Sequence, residues 1–394
     1  MCRFSRSSQI MFWLLPVTSN VFESVLILIL MTLIVLTNCA SKTHRNYTQT
    51  HQASEHLKGC HPKYKMSDFS RKIEINCQDV ISLVDCSDSI KTGKISGDYE
   101  EVMVLQYCPV LNQIIKELLS PISIQEVIGK LHIYYANNSN DVSYEMYFDE
   151  ESFHGLSNNV TGLYLRENRL KRIPLNFFNS VPRVTVVDLA SNDLESLENG
   201  TFECLVRLQT LNLRKNRLSN STQETLAPLH DLIKLDLSDN KLTTLSANTF
   251  QNLTQLQDLN LSFNDISALP EGILNDLKSL KIFRADGLYR KKQVTIPSNL
   301  FQGPKSLQQI YMNENNLNHL PENIFYELSE LQNVSLRANG LTELPRTLFN
   351  SSTALMKIDL SDNKLKSVDD ILFRGLDKLE ELHLEKNELT FIHP

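Results

Sequence analysis

Nine asparagines fall on one ruler: Asn168, Asn192, Asn216, Asn240 and Asn264 at intervals of 24, then, after a gap of 51, Asn315, Asn339, Asn363 and Asn387. A fixed period over more than half of a chain defines a repeat array, in which each unit buries its apolar face against its neighbours. Such an array escapes the limit of roughly 250–300 residues on one compact core, which this 394-residue chain exceeds. Around each asparagine the same frame recurs, as in Leu232-Ile-Lys-Leu235-Asp-Leu237-Ser-Asp-Asn240-Lys-Leu242, followed by Phe250 and Leu253.

In that frame Leu235 and Leu237 point one way while Lys234, Asp236 and Ser238 point the other, as along a strand. Stacked units set these strands side by side as a parallel sheet, and each parallel step needs a crossover of a dozen or more residues. The rest of the unit supplies it. Its Phe and Leu (Phe250 and Leu253, Phe325 and Leu328, Phe373 and Leu376) fill the far side of the core. Ile-Pro or Leu-Pro recurs at Pro174, Pro270, Pro297, Pro321 and Pro345, so the convex side is expected to be loop with short 3₁₀ or α turns. The asparagine closes the strand where the chain turns inward. Its amide carries both donors and an acceptor and bridges buried backbone groups of adjacent turns, so the ladder is structural and not catalytic. The frame resembles the leucine-rich-repeat pattern, which implies an α/β solenoid with a curved parallel sheet on its concave face.

Ten regular units begin near residues 160, 184, 208, 232, 256, 280, 307, 331, 355 and 379. Ahead of them the chain divides into a leader (1–40), a polar linker (41–66), and a cap with degenerate first repeats (67–159) whose strands are foreshadowed at Met103-Val-Leu105 and Leu131-His-Ile133. The leader holds a twelve-residue apolar run from Val25 to Leu36 behind Arg3 and Arg6. That length fits a signal peptide better than a membrane span of ~20 residues; an uncleaved signal-anchor and a buried helix are the other readings. Cys60, Cys77, Cys86 and Cys108 cluster ahead of the regular repeats, where disulfides suit an extracellular cap, with three connectivities open. Zinc is disfavoured, since no Cys-x-x-Cys pair or histidine stands at ligand spacing. Cys204 is left over, as a half-buried free thiol or an intermolecular disulfide.

No nucleophile elbow, P-loop, His-Glu-x-x-His or dinucleotide glycine motif occurs, so neither an enzyme nor a cofactor is expected. The net charge of −7 carries no basic stripe for nucleic acid. What remains is surface. The outward strand positions run from Tyr164, Arg166 and Glu167 through Asp188, Ala190 and Ser191, then Asn212, Arg214 and Lys215, Asp236, Ser238 and Asp239, Asn260, Ser262 and Phe263, Tyr311, Asn313 and Glu314, Ser335 and Arg337, Asp359, Ser361 and Asp362, to His383, Glu385 and Lys386. Ten strands at ~4.8 Å make a face about 45 Å long, wide enough for a macromolecular partner, with Tyr164, Arg166 and Arg214 as candidate contacts. One unit, Leu280 to Ser306, has 27 residues, Leu288 in the asparagine slot and the basic run Arg290, Lys291 and Lys292, a candidate ligand or dimer contact expected to bulge. Nine Asn-x-Ser/Thr sequons mark candidate glycosylation sites: Asn46, Asn137, Asn159, Asn199, Asn220, Asn252, Asn260, Asn333 and Asn350. A glycan on Asn260 would exclude a flat partner from that part of the sheet.

The cap motif Ile73-Glu-Ile-Asn-Cys77, the repeat ending Val104-Leu-Gln-Tyr-Cys108, the long degenerate repeat before Leu163-Tyr-Leu165 and the 27-residue unit resemble the amino-terminal part of an insect Toll receptor ectodomain, over residues 67–394. The resemblance implies an extracellular part of a single-pass receptor that binds a secreted cystine-knot ligand of the Spätzle type and dimerises. It carries no short binding motif onto positions here. The chain stops at Pro394 inside a unit, which reads as a fragment or truncated form exposing Leu379, Leu382 and Leu384, or as a soluble decoy. A secreted or matrix adhesion protein is the alternative.

Overall fold

The computed structural model describes residues 71–76, 101–106, 130–134, 160–219, 223–288 and 296–392. Thirteen strands form one parallel sheet in strict sequence order. They are β1 (Arg71–Asn76), β2 (Glu101–Gln106), β3 (Lys130–Tyr134), β4 (Gly162–Tyr164), β5 (Val186–Asp188), β6 (Thr210–Asn212), β7 (Lys234–Asp236), β8 (Asp258–Asn260), β9 (Ile282–Arg284), β10 (Gln309–Tyr311), β11 (Asn333–Ser335), β12 (Lys357–Asp359) and β14 (Glu381–His383). The degenerate front of the chain thus joins the same sheet: Ile73 pairs with Met103, Met103 with Leu131, and Leu131 with Leu163. Two short strands, β13 (Ser367–Val368) and β15 (Phe391–Ile392), pair separately.

From β4 to β12 each strand has three residues, and its middle side chain enters the core: Leu163, Val187, Leu211, Leu235, Leu259, Phe283, Ile310, Val334 and Ile358 are all at most 1% exposed. The convex half is turns, with helix only at α1 (Gln223–Leu226) and one 3₁₀ turn, Asp370–Phe373, among the described residues. The prolines start these turns. Pro174, Pro297, Pro321 and Pro345 each offer a carbonyl to the N–H three residues on, at 3.0–3.2 Å. Phe250, Leu253, Phe325 and Leu328 are buried as expected, whereas Phe373 is only half-buried against the core.

The ladder acts across repeats. Asn240 Oδ1 accepts from Leu218 N–H (3.1 Å), while its Nδ2 donates to the carbonyls of Leu213 in the preceding unit (2.9 Å) and of Leu237 in its own (3.0 Å). Asn192, Asn216, Asn264, Asn339, Asn363 and Asn387 repeat the pattern. Where Leu288 replaces asparagine it is buried, and Asn315 reaches across the longer unit to accept from Leu288 N–H (2.7 Å) and donate to the Ala285 carbonyl (2.7 Å). That unit also has Phe283 and Ala285 where the preceding unit has two core leucines, Leu259 and Leu261, so one side chain is larger and one smaller. The basic run 290–292 lies outside the described residues, as do Cys60, Cys77, Cys86, Cys108 and the sequons at Asn46, Asn137, Asn159 and Asn220. In the last unit Leu382 is 39% exposed, but Leu379 and Leu384, expected to be exposed as well, are half-buried against the core.

Candidate ligand-binding face

The concave face is less free than strand alternation implies. Asp188, Asn212, Asp236, Asn260 and Asp359, at the third strand position, each turn an oxygen back onto the N–H two residues on (3.0, 3.1, 2.9, 3.1 and 3.0 Å). These Asx turns cap the strand end. Where the next outward residue is small it lies beneath the turn, unlike the exposed Arg214 after Asn212: Ala190, Ser238, Ser262 and Ser361 are at most 3% exposed, and Asp188 is buried too. Those five positions, expected to face a partner, are structural. The recurring Asp/Asn two residues before a small side chain is the sequence signal for it. Like charges opposite each other on adjacent strands repel, and the column alternates accordingly: Asn212 hydrogen-bonds Asp188, and Asn260 Nδ2 donates to Asp236 (3.3 Å).

A second column was not anticipated. The residue before every ladder position from Glu167 to Lys386 holds a positive φ of 54–64°: Glu167, Ser191, Lys215, Asp239, Phe263, Gly287, Glu314, Ala338, Asp362 and Lys386. Only one is glycine, so the turn imposes the left-handed backbone at a cost of roughly 1 kcal/mol or more for each other residue. Charged members of this column anchor their neighbours. Arg214 pairs with Asp239 and Arg337 with Asp362, both at 2.9 Å, and Lys386 also reaches Asp362 (3.1 Å). Hydrogen bonds from Arg337 and Lys386 hold the Asp362 carboxyl below its ordinary value, and Lys357, then His383, do the same for Glu381. Arg166 lies 3.6 Å from Asp188. The candidate contacts Arg166 and Arg214 are therefore both already committed to neighbouring carboxylates; exposed pairs of this kind add little stability but fix side-chain direction.

The centre of the face differs from its flanks. Phe263 is the aromatic member of the left-handed column and 39% exposed. On the next strand Arg284 lies over the Tyr311 ring (5.6 Å) and pairs with Asp258, which Lys234 also approaches (3.5 Å). A bulky residue held at positive φ and left accessible is costly unless used, and aromatic residues with arginine are the side chains that dominate binding energies. Beside them burial pushes the Asp286 carboxyl above its ordinary value, although it accepts from Asn313 N–H (2.7 Å).

Native Asp286 therefore binds its proton more tightly than the unfolded chain does, and its stability contribution falls as pH rises through the raised value. Asp286→Asn, which keeps the acceptor, is expected to raise the melting temperature at pH 7. The two melting curves should converge in acid, and a variant less stable at pH 7 without convergence would contradict the burial argument.

Away from the sheet, Asn199, Asn252 and Asn350 lie exposed on the convex side. Cys204 is a free thiol, half-buried against the core, its pKa raised by that burial. Among the described residues no cluster of three or more His, Cys, Asp or Glu is placed to hold a metal, and no helix is long and apolar enough to cross a membrane.

The family described as "Leucine rich repeat" matches residues 158–218, 207–266 and 329–389. Together with the parallel sheet and the asparagine ladder, that decides the architecture. The chain is a leucine-rich-repeat solenoid. Among solved structures the solenoid is similar to a chain of the Toll–Spätzle complex of Drosophila, at 21% identity and a TM-score of 0.58, over 82% of this chain and 47% of that one. It is also similar to a chain of the TLR13–ssRNA13 complex (22%, TM-score 0.53, 75% and 48%) and to one of the octameric Latrophilin 3, Unc5D and FLRT2 complex (22%, TM-score 0.54, 70% and 79%). It spans about half the length of the first two. No curated protein matches by sequence.

Proposed function

We propose that the chain is an extracellular ligand-binding ectodomain, the amino-proximal part of a Toll-like receptor, which binds a secreted protein ligand of the Spätzle type through the concave and flanking repeat surface. The observation that carries this reading is the extent of the likeness. Regular repeats, residues 160–394, make up three-fifths of the chain, so a match over 82% extends into the degenerate segment ahead of them. The interleaved charge of the face favours a folded protein over a polyanion such as RNA, which would need an unpaired basic stripe. Dimerisation on ligand, a disulfide-closed cap and a membrane anchor elsewhere in the full receptor belong to the same proposal.

The test is binding of the secreted chain to a Spätzle-type cystine-knot protein by biolayer interferometry. Phe263→Ala and Arg284→Ala are each expected to weaken it tenfold or more, about 1.4 kcal/mol. Arg346→Ala, on an exposed convex loop, should leave it unchanged. No binding by a folded chain, or equal effects from all three substitutions, would count against the proposal. A secreted or matrix adhesion protein, or a soluble decoy, is the second reading; the FLRT2 complex favours it, because there the chain spans 79% of its counterpart.

A further inference from the structure

Two sequons lie in the sheet itself. In a strand, residues i and i+2 share a face, so Asn260-Leu-Ser262 and Asn333-Val-Ser335 both turn asparagine and serine to the concave side, with Leu261 and Val334 in the core. Their amides are used differently. Asn260 is consumed by the fold: its Oδ1 accepts from Ser262 N–H, its Nδ2 donates to Asp236, and Ser262 is itself buried. Asn333 holds the first position of β11, between Gln309 and Lys357. Both neighbours point elsewhere, since Gln309 accepts from the Tyr311 hydroxyl (3.1 Å) and Lys357 reaches Glu381 (2.6 Å). Among the described residues the Asn333 amide makes no hydrogen bond.

We infer that Asn333 carries an N-linked oligosaccharide on the concave sheet and that Asn260 does not. Replacing an amide hydrogen of Asn333 with a sugar removes no bond that holds the solenoid together. At Asn260 the same substitution leaves Nδ2 a single hydrogen, already needed for the bond to Asp236, and roots the sugar beside the buried Ser262. The inference rests on the extracellular reading above and narrows it. A bulky, hydrated glycan rooted on β11 closes the sheet around β10 to β12 to a flat partner. Among the regular repeats the longest stretch left open is β4 through β9, about 24 Å of sheet at ~4.8 Å per strand, with Phe263 and Arg284 near its far margin.

The experiment is site-resolved glycopeptide mass spectrometry on the full chain secreted from insect cells. Glycan is expected on Asn333 and on the exposed convex Asn350, with the Asn260 peptide unmodified. Asn333→Gln should lose the mass of one glycan and be secreted as well as the parent; Ser335→Ala, which destroys the sequon but keeps Asn333, should do the same. An unmodified Asn333 beside an occupied Asn350 overturns the inference and leaves the extracellular reading standing. Occupancy of Asn260 overturns the contrast between the two sites. Absence of glycan at every sequon overturns both the inference and the reading on which it rests.

Discussion

Asn240→Leu is expected to destabilise the solenoid by about 3–5 kcal/mol, more than any change on its concave surface. The substitution strips partners from the Leu218 N–H and the Leu213 and Leu237 carbonyls, each buried between repeats and each costing roughly 1–3 kcal/mol when unsatisfied. Local relaxation recovers part of that sum. Leucine is tolerated in this slot only at Leu288, in the unit lengthened to 27 residues, where Asn315 spans the gap. The control is Asn387→Leu at the last described unit. That asparagine makes the same bonds but is half-exposed, so water replaces them and the expected cost stays below about 1 kcal/mol. Urea unfolding followed by circular dichroism measures both. Hydrogen exchange should show the Asn240 variant opening around residues 208–245, because each repeat leans only on its neighbours. Equal midpoint shifts for the two variants would remove the ladder's claim to hold the array together.

The role of Asn240 was legible in the sequence because spacing and chemistry coincide: one residue type, one interval, one need for a bifunctional amide. Strand direction was legible for Leu235 and Lys234 for the same kind of reason. The concave face was not. Alternation assigns Ser238 and Ala190 to the outside, but an i to i+2 bond from Asp236 or Asp188 folds each beneath the surface, and no in–out pattern registers a side chain that binds its own backbone. The left-handed column was hidden for the opposite reason. Glu167, Lys215, Phe263 and Ala338 share a backbone conformation and no side-chain property, since the geometry belongs to the turn, and Gly287 keeps it where leucine replaces the asparagine. Phe263 stands out only once that geometry is known. Arg166 and Arg214 looked available as isolated letters. Their partners Asp188 and Asp239 sit 22 and 25 residues on, one repeat away, where a linear reading places them close only if the register is already in hand.

On the convex side Phe325→Ala is expected to cost about 3–5 kcal/mol. Phe178, Phe202, Leu226, Phe250, Leu274, Phe301, Phe325 and Phe349 occupy one buried column, one per repeat. Phe325 is 1% exposed and sits between Phe301 (ring centroids 6.1 Å apart, planes at 30°) and Phe349 (6.0 Å, 9°). Its removal therefore opens a cavity and breaks two ring contacts at once, each worth about 0.5–1.5 kcal/mol beyond area burial. Phe250 separates the two effects. It is as deeply buried, at 1%, but its column neighbours are Leu226 and Leu274, so Phe250→Ala should lose the cavity term without the stacking and come out about 1–3 kcal/mol cheaper. Phe325→Leu should cost about 1–3 kcal/mol, since leucine serves this column in two repeats and keeps most of the volume but loses both ring contacts. If Phe250→Ala proves as costly as Phe325→Ala, the stacked rings add nothing to burial, and the column is a row of independent plugs instead of a spine coupling one repeat to the next.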